Sequence, residues 1–161
     1  MNKIFLIALL ILFGRATALV TDSTEPIEVS ANTVVIDERE KLSTYTGKAS
    51  ITQGSLTLNA QTVQLFNNQQ GVIKVIAKGT YKQPAYYQQN QPNQPRFIEA
   101  RALEIIYLVK QELLHLKGKA HLTQGFDSFS GATLNYDIKN DKIITSMSED
   151  GTQRVQFKIK L

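Results

Sequence analysis

The chain has 161 residues, 42% apolar and 20% charged, with two histidines, no cysteine, no tryptophan and a formal charge of +4. The absence of cysteine excludes a disulfide framework, and two histidines alone make a poor ligand set for a structural metal. No run of lysine or arginine of the kind that grips a phosphate backbone is present, so a nucleic-acid surface is excluded on charge.

The N-terminus has the three parts of a secretory signal peptide over residues 1–18. Met1-Asn-Lys3 supplies the positive end, Ile4 to Phe13 the apolar run, and Ala16-Thr-Ala18 a small-x-small cleavage site. The run is shorter than the roughly 18–20 residues a spanning helix needs. A soluble exported chain starting near Leu19 is therefore expected. Loss of Lys3 and Arg15 leaves 16 basic against 14 acidic side chains, a nearly balanced surface. Residues 19–161 suit one domain.

From there the pattern is alternation. Ile27, Val29 and Ala31 face one way, while Glu28, Ser30 and Asn32 face the other. Tyr45, Gly47, Ala49 and Ile51 continue it, then Leu56, Leu58 and Ala60. A turn follows at Asn67-Asn-Gln-Gln-Gly71. Ala85, Tyr86 and Tyr87 read as a strand running into a Gln/Asn/Pro surface loop over 88–95, too polar to fold alone. Leu114, Leu116, Ala120 and Leu122 resume the alternation, and Val155, Phe157, Ile159 and Leu161 close the chain. Period-two patterning with tight turns predicts an all-β protein, a meander of antiparallel strands in two facing sheets. A sandwich, jelly roll or open barrel would satisfy it.

The strongest single feature is an internal repeat. Gly47-Lys-Ala-Ser-Ile-Thr-Gln-Gly54 and Gly118-Lys-Ala-His-Leu-Thr-Gln-Gly125 agree at six of eight positions with an offset of 71. Ala31 then pairs with Ala102, Leu42 with Leu113, Thr62 with Thr133 and Leu65 with Tyr136. The repeats run over about 27–87 and 98–159. Such a repeat points to stacked β-structure before any local reading is made. A glycine inside a strand pattern, as at Gly47 and Gly118, marks a bulge or a close backbone approach.

The search for reactive groups is negative. His115 and His121 lack a third ligand. Ser128, His121 and Asp127 suit a turn better than a nucleophile elbow. Glu99 and Glu104 fall on opposite strand faces, and Asp137 and Asp141 flank a turn. No cofactor or metal and no catalytic residue is expected. What remains is an apolar inner face rich in Ala and Gly. Small side chains there either let the sheets pack closely or leave a slot for acyl chains.

Thr46-Gly-Lys-Ala-Ser-Ile-Thr-Gln-Gly54 followed by Leu58-Asn-Ala-Gln-Thr-Val63 resembles the OstA-like family of periplasmic lipopolysaccharide-transport proteins. Pro26 to Ala31, Leu116 to Gln124, Gly131 to Tyr136 and Asp150 to Val155 fall in the family's order. The likeness spans the mature chain. It implies a slightly twisted, open β-jelly roll that carries lipopolysaccharide through the periplasm, from an inner-membrane transporter subunit to an outer-membrane assembly protein. It also implies head-to-tail homo-oligomers. An apolar groove lined by Ile27, Val29, Tyr45, Ile51, Leu56, Leu58, Ile98, Leu116, Leu122 and Phe129 would hold the lipid A chains. The last strand, with Val155, Phe157 and Ile159 on one face, would be the self-assembly edge. Lys158 and Lys160 on that strand read equally as gatekeepers against pairing. Two alternatives stand beside this: a membrane-anchored transport subunit of similar fold, and a structural β-sandwich with a filled core.

Overall fold

The computed structural model of the protein describes residues 22–91, 94, 96–147, 151 and 154–160; the expected signal peptide over 1–18, the start at Leu19 and the final Leu161 lie outside the described residues. After a 3-10 turn at Asp22–Thr24 the described elements are all strands. They are β1 (Glu28–Ser30), β2 (Thr33–Asp37), β3 (Leu42–Gln53), β4 (Leu56–Asn68), β5 (Gly71–Lys78) and β6 (Ala85–Asn90), followed by β7 (Phe97–Ala102), β8 (Glu104–Leu108), β9 (Leu113–Gln124), β10 (Asp127–Asp137), β11 (Lys142–Ser146) and β12 (Gln156–Lys158). Every pairing between them is antiparallel.

The pairings resolve into two layers that share the four long strands β3, β4, β9 and β10. One layer runs β2-β3-β4-β5-β8-β9-β10-β11. The other runs β1-β3-β4-β6-β7-β9-β10-β12. Each long strand therefore bends from one layer into the other, and on β3 and β9 the bend is where the repeated Gly-Lys sits. Register shifts between Thr46 and Ala49 on β3, where Gly47 (φ 85) and Lys48 (φ 48) are both left-handed. On β9 the same corner is Gly118 (φ 75) and Lys119 (φ 51). A bulge with a left-handed glycine is the ordinary way to kink a strand.

The corner is crowded as well as bent. The Gly47 carbonyl accepts the Asn32 N–H at 3.0 Å, and the Gly118 carbonyl accepts that of Leu103 at 2.9 Å. A Cβ at Gly118 would stand 2.9 Å from Leu103 Cδ1. Gly118→Ala is therefore expected to cost about 1–3 kcal/mol, read as a lower thermal midpoint. An unchanged midpoint would remove the corner role.

The repeat is structural. β2 and β8, and the first residues of β3 and β9, β4 and β10, and β5 and β11, stand 71 apart. Val29 pairs with Ile51 as Ala100 pairs with Leu122. Between the layers lie Val63, Leu65, Ile105, Leu114 and Leu116 from one side, and Ile51, Leu58, Tyr87, Ile98 and Leu122 from the other, all buried. Each contributes about 1.5–3 kcal/mol of burial. The core, not a covalent staple, holds the chain.

Three expectations change. The topology is not a plain meander: β4 pairs with both β5 and β6, and β5 pairs with β8, because layer-changing strands take different neighbours at their two ends. The 88–95 loop begins later than expected, since Gln88, Gln89 and Asn90 belong to β6 and face Glu99, Ile98 and Phe97. Composition judges side chains, whereas the ladder is made by backbone. Here the side chains find partners too: Gln88 accepts from the Tyr86 hydroxyl at 2.8 Å, and Gln89 donates to Asp22 at 2.9 Å. The closing strand is three residues, Gln156–Lys158, shorter than the alternation from Val155 to Leu161 suggests.

Candidate functional site

Joined at the corners, the layers meet the solvent on the far side at a mouth bordered by hairpin turns. One layer presents the turns after β2, β4, β8 and β10; the other presents those after β3, β6 and β9. Over the first repeat, and completed by Tyr107, Val109 and Lys110 from the start of the second, this space is a cavity of about 360 Å³. Ile51, Leu56, Leu58 and Tyr87 form one wall; Leu65, Val72, Val75, Tyr107 and Val109 form the other. Ile27, 39% exposed, stands at the rim with Glu25, Gln53, Gln70 and Lys110. The depth is apolar and the rim polar, the layout of a site for an amphiphile.

Of the groove residues expected from sequence, Ile27, Ile51, Leu56 and Leu58 meet at this cavity. Val29 and Tyr45 pack against the same core without lining it. Ile98, Leu116 and Leu122 are fully buried in the second repeat and Phe129 is half-buried beside them; the cavity does not reach these four. Sequence reasoning missed the opposite wall. Leu65 and Val75 belong to the other layer, and along β4 the inward phase of Val63 and Leu65 is shifted from that of Leu56 and Leu58. A break in alternation phase between Ala60 and Val63 was the available signal.

Two phenols mark the cavity's depth. Tyr87 and Tyr107 rings lie 6.0 Å apart at 58°, and the Tyr87 hydroxyl donates to Gln89. Burial pushes the Tyr87 phenol well above its ordinary value. Burial, with the negative charges of Glu112 and Asp22, pushes Tyr107 up to about 12. A raised folded pKa means the neutral phenol is stabilised by folding. That stability is full below about pH 10, the unfolded tyrosine value, and is lost as pH rises through about 12. Urea unfolding followed across this window should show falling stability, and Tyr107→Phe should flatten the fall.

At the first-repeat rim Asp22 fastens the N-terminal segment onto the β3–β4 turn. Its carboxylate accepts the Ser55 N–H at 2.8 Å and the Ser55 hydroxyl at 2.5 Å. Burial would raise its pKa, but the bonds from Ser55 and Gln89 outweigh it and hold it below the ordinary carboxylate range. His115 and His121 lie elsewhere, at 2.7 Å from Asn135 Oδ1 and 2.6 Å from Ser130 Oγ respectively.

Among the described residues the sheet ends are open: β2 has a neighbour only on its β3 side, and Val34, Val35 and Ile36 are exposed. Val34 is 47% exposed while its repeat counterpart Ile105 is 0% exposed, because β5 covers the corresponding edge of β8. At the other end β12 pairs, among the described residues, only with β10; Val155, Phe157 and Ile159 are exposed, Phe157 at 70%.

Comparison with known proteins gives a consistent result. Residues 28–142 match the family described as LptA/(LptD N-terminal domain) LPS transport protein. The chain is 31% identical over 140 residues to the lipopolysaccharide export system protein LptH of Pseudomonas aeruginosa, covering 87% of this chain and 78% of that protein. It is 26% identical over 145 residues to LptA of Escherichia coli K12, covering 89% and 76%. The crystal structure of LptH, described as the LptA-homologous periplasmic component of the lipopolysaccharide transport device of P. aeruginosa, superposes with a TM-score of 0.77 at 28% identity, over 87% of this chain and 99% of that one.

Proposed function

The chain belongs to the LptA/LptD N-terminal domain family of lipopolysaccharide transport proteins, and from that membership we propose a non-enzymatic carrier that bridges the periplasm, holding lipid A acyl chains between its sheets while the sugars stay in water. The carrying observation is the cavity of about 360 Å³ with apolar walls and a polar rim. Each methylene hidden there stabilises the complex by about 0.8 kcal/mol, a gain that free diffusion of lipopolysaccharide would forfeit. The chain supplies no nucleotide-binding loop, so the work of transport falls to partners. Mass spectrometry of protein purified under mild conditions should find bound lipopolysaccharide. Lipid-free protein that also fails to take up added lipopolysaccharide would favour a structural β-sandwich instead. N-terminal sequencing of the exported chain separates a soluble carrier, beginning near Leu19, from an anchored subunit.

The open ends support bridging by copies, or by partners of the same fold at the inner and outer membranes. The junction between the repeats is a template for a junction between chains. Phe157 stands opposite Phe129 as Tyr87 stands opposite Leu58. In the internal junction Tyr87, Gln88 and Gln89 face Ala100, Glu99 and Ile98. Carried across, Phe157 would face Val29 of the next copy, Lys158 would face Glu28, and Ile159 would face Ile27. In the other layer Ser146 stands opposite Thr133 as Lys78 stands opposite Thr62, so Ser146 would face Thr33 and Thr145 would face Val34. Antiparallel strand addition of this kind gives affinity through the backbone and register through the side chains.

A further inference from the structure

The two repeats, alike in strands and corners, differ at the mouth. In the second repeat five side chains from both layers meet across it. Asp141, in the turn between β10 and β11, accepts at Oδ1 from Gln124 (2.6 Å), the Tyr136 hydroxyl (2.9 Å) and Gln91 (3.0 Å). Its Oδ2 pairs with the Arg96 guanidinium at 3.3 Å. Gln91 also donates to the Tyr136 oxygen at 3.0 Å and accepts from Arg96 Nε. Tyr136 and Asp141 belong to one layer; Gln91, Arg96 and Gln124 belong to the other. Gln91, Gln124 and Tyr136 are buried, at 5%, 6% and 0% exposure.

The first repeat has other residues at the matching places. At an offset of 71, Leu65 stands for Tyr136, Gln70 for Asp141 and Glu25 for Arg96, while Gln53 matches Gln124. Among the described residues, Gln53 turns aside to the Glu25 carbonyl at 3.0 Å, and Gln70 accepts from Lys110 of its own layer. No hydrogen bond of either residue crosses this mouth among the described residues, and it is here that the cavity lies. The crossing in the second repeat is polar rather than apolar. Its groups would exchange their partners for water on opening, at less cost than exposing a hydrophobic plug of the same size.

We infer that Gln91, Arg96, Gln124, Tyr136 and Asp141 form a clasp that shuts the mouth over the second repeat. Acyl chains enter the first repeat and advance into the second when the clasp parts. The inference rests on the carrier reading, which supplies the cargo. It gives the bridge a direction within each copy: an open receiving half, then a half that must be unlocked.

The test places a photoreactive p-benzoylphenylalanine at Tyr107, in the first cavity, or at Phe129, in the second interior, and cross-links the full exported chain to purified lipopolysaccharide. With the clasp intact the Tyr107 probe should label and the Phe129 probe should label at least about tenfold less, since the minor state of a two-state element is populated at roughly 0.1–10%. Asp141→Ala should raise labelling at Phe129 about tenfold and leave Tyr107 unchanged; Arg96→Ala, whose side chain is more peripheral, should act in the same direction. Equal labelling at both probes in the intact chain overturns the clasp and needs no clasp variant. So does unchanged Phe129 labelling in a variant whose circular dichroism shows it folded. No labelling at either position would instead sink the carrier reading, and the clasp with it.

Discussion

Val72→Trp is expected to weaken lipopolysaccharide binding about fiftyfold while the chain stays folded. Val72 is half-buried on the wall of the first-repeat cavity, near its rim, so a larger ring grows into empty space rather than into a packed core. Excluding about three methylenes from that space forfeits about 2.4 kcal/mol at roughly 0.8 kcal/mol each, and every 1.4 kcal/mol is a factor of about ten in affinity. Titration with fluorescent lipopolysaccharide, alongside a thermal melt, measures both halves of the statement. Leu58→Asp serves as the harsher comparison. Leu58 is 2% exposed between Ile51 and Tyr87, so an unpaired carboxylate there costs several kcal/mol and acts on the fold as well as on the ligand. A folded Val72→Trp chain binding with unaltered affinity would remove the cavity as the lipid site.

Phe157→Asp is expected to turn assemblies into single chains. Phe157 is 70% exposed, so the isolated chain loses little by its replacement. In the junction copied from the internal one it would be covered beside Val29. Losing that burial forfeits about 2 kcal/mol, and the new carboxylate would be drawn out of water on the apolar face it shares with Val29. Together these weaken association by at least about thirtyfold, read by sedimentation over a concentration series. Lys158→Glu should have a smaller effect, about 0.2–1 kcal/mol for one cross-strand charge pair, and Glu28→Lys on the same chain should restore it. Rescue by the swap tests the register itself. Association that survives Phe157→Asp unaltered would point to a different contact between copies.

The two sets of residues differ in how visible they were beforehand. Leu58 and Ile51 show themselves by alternation alone. So does Phe157, whose parity with Val155 and Ile159 marks one face of a terminal strand. Leu65 and Val75 were hidden because a strand that changes layers also changes inward phase, and the phase break reads as the end of a strand. Gln88 to Asn90 were hidden for another reason. A strand is a backbone event, and polar side chains do not forbid it where a partner ladder and hydrogen-bonding neighbours are waiting.

The sequence by itself determined the all-β class, the doubled unit and the place of the corners, because period-two parity and left-handed glycine are local properties that a chain carries wherever it folds. It also carried the family resemblance in the order of its motifs. Only the tertiary structure decided which of two nearly equal repeats stands open. That choice rests on Gln91 and Arg96 reaching Asp141 across the mouth, 50 and 45 residues along the chain. A contact of that kind is fixed by how the layers pack, and no periodicity in the sequence announces it.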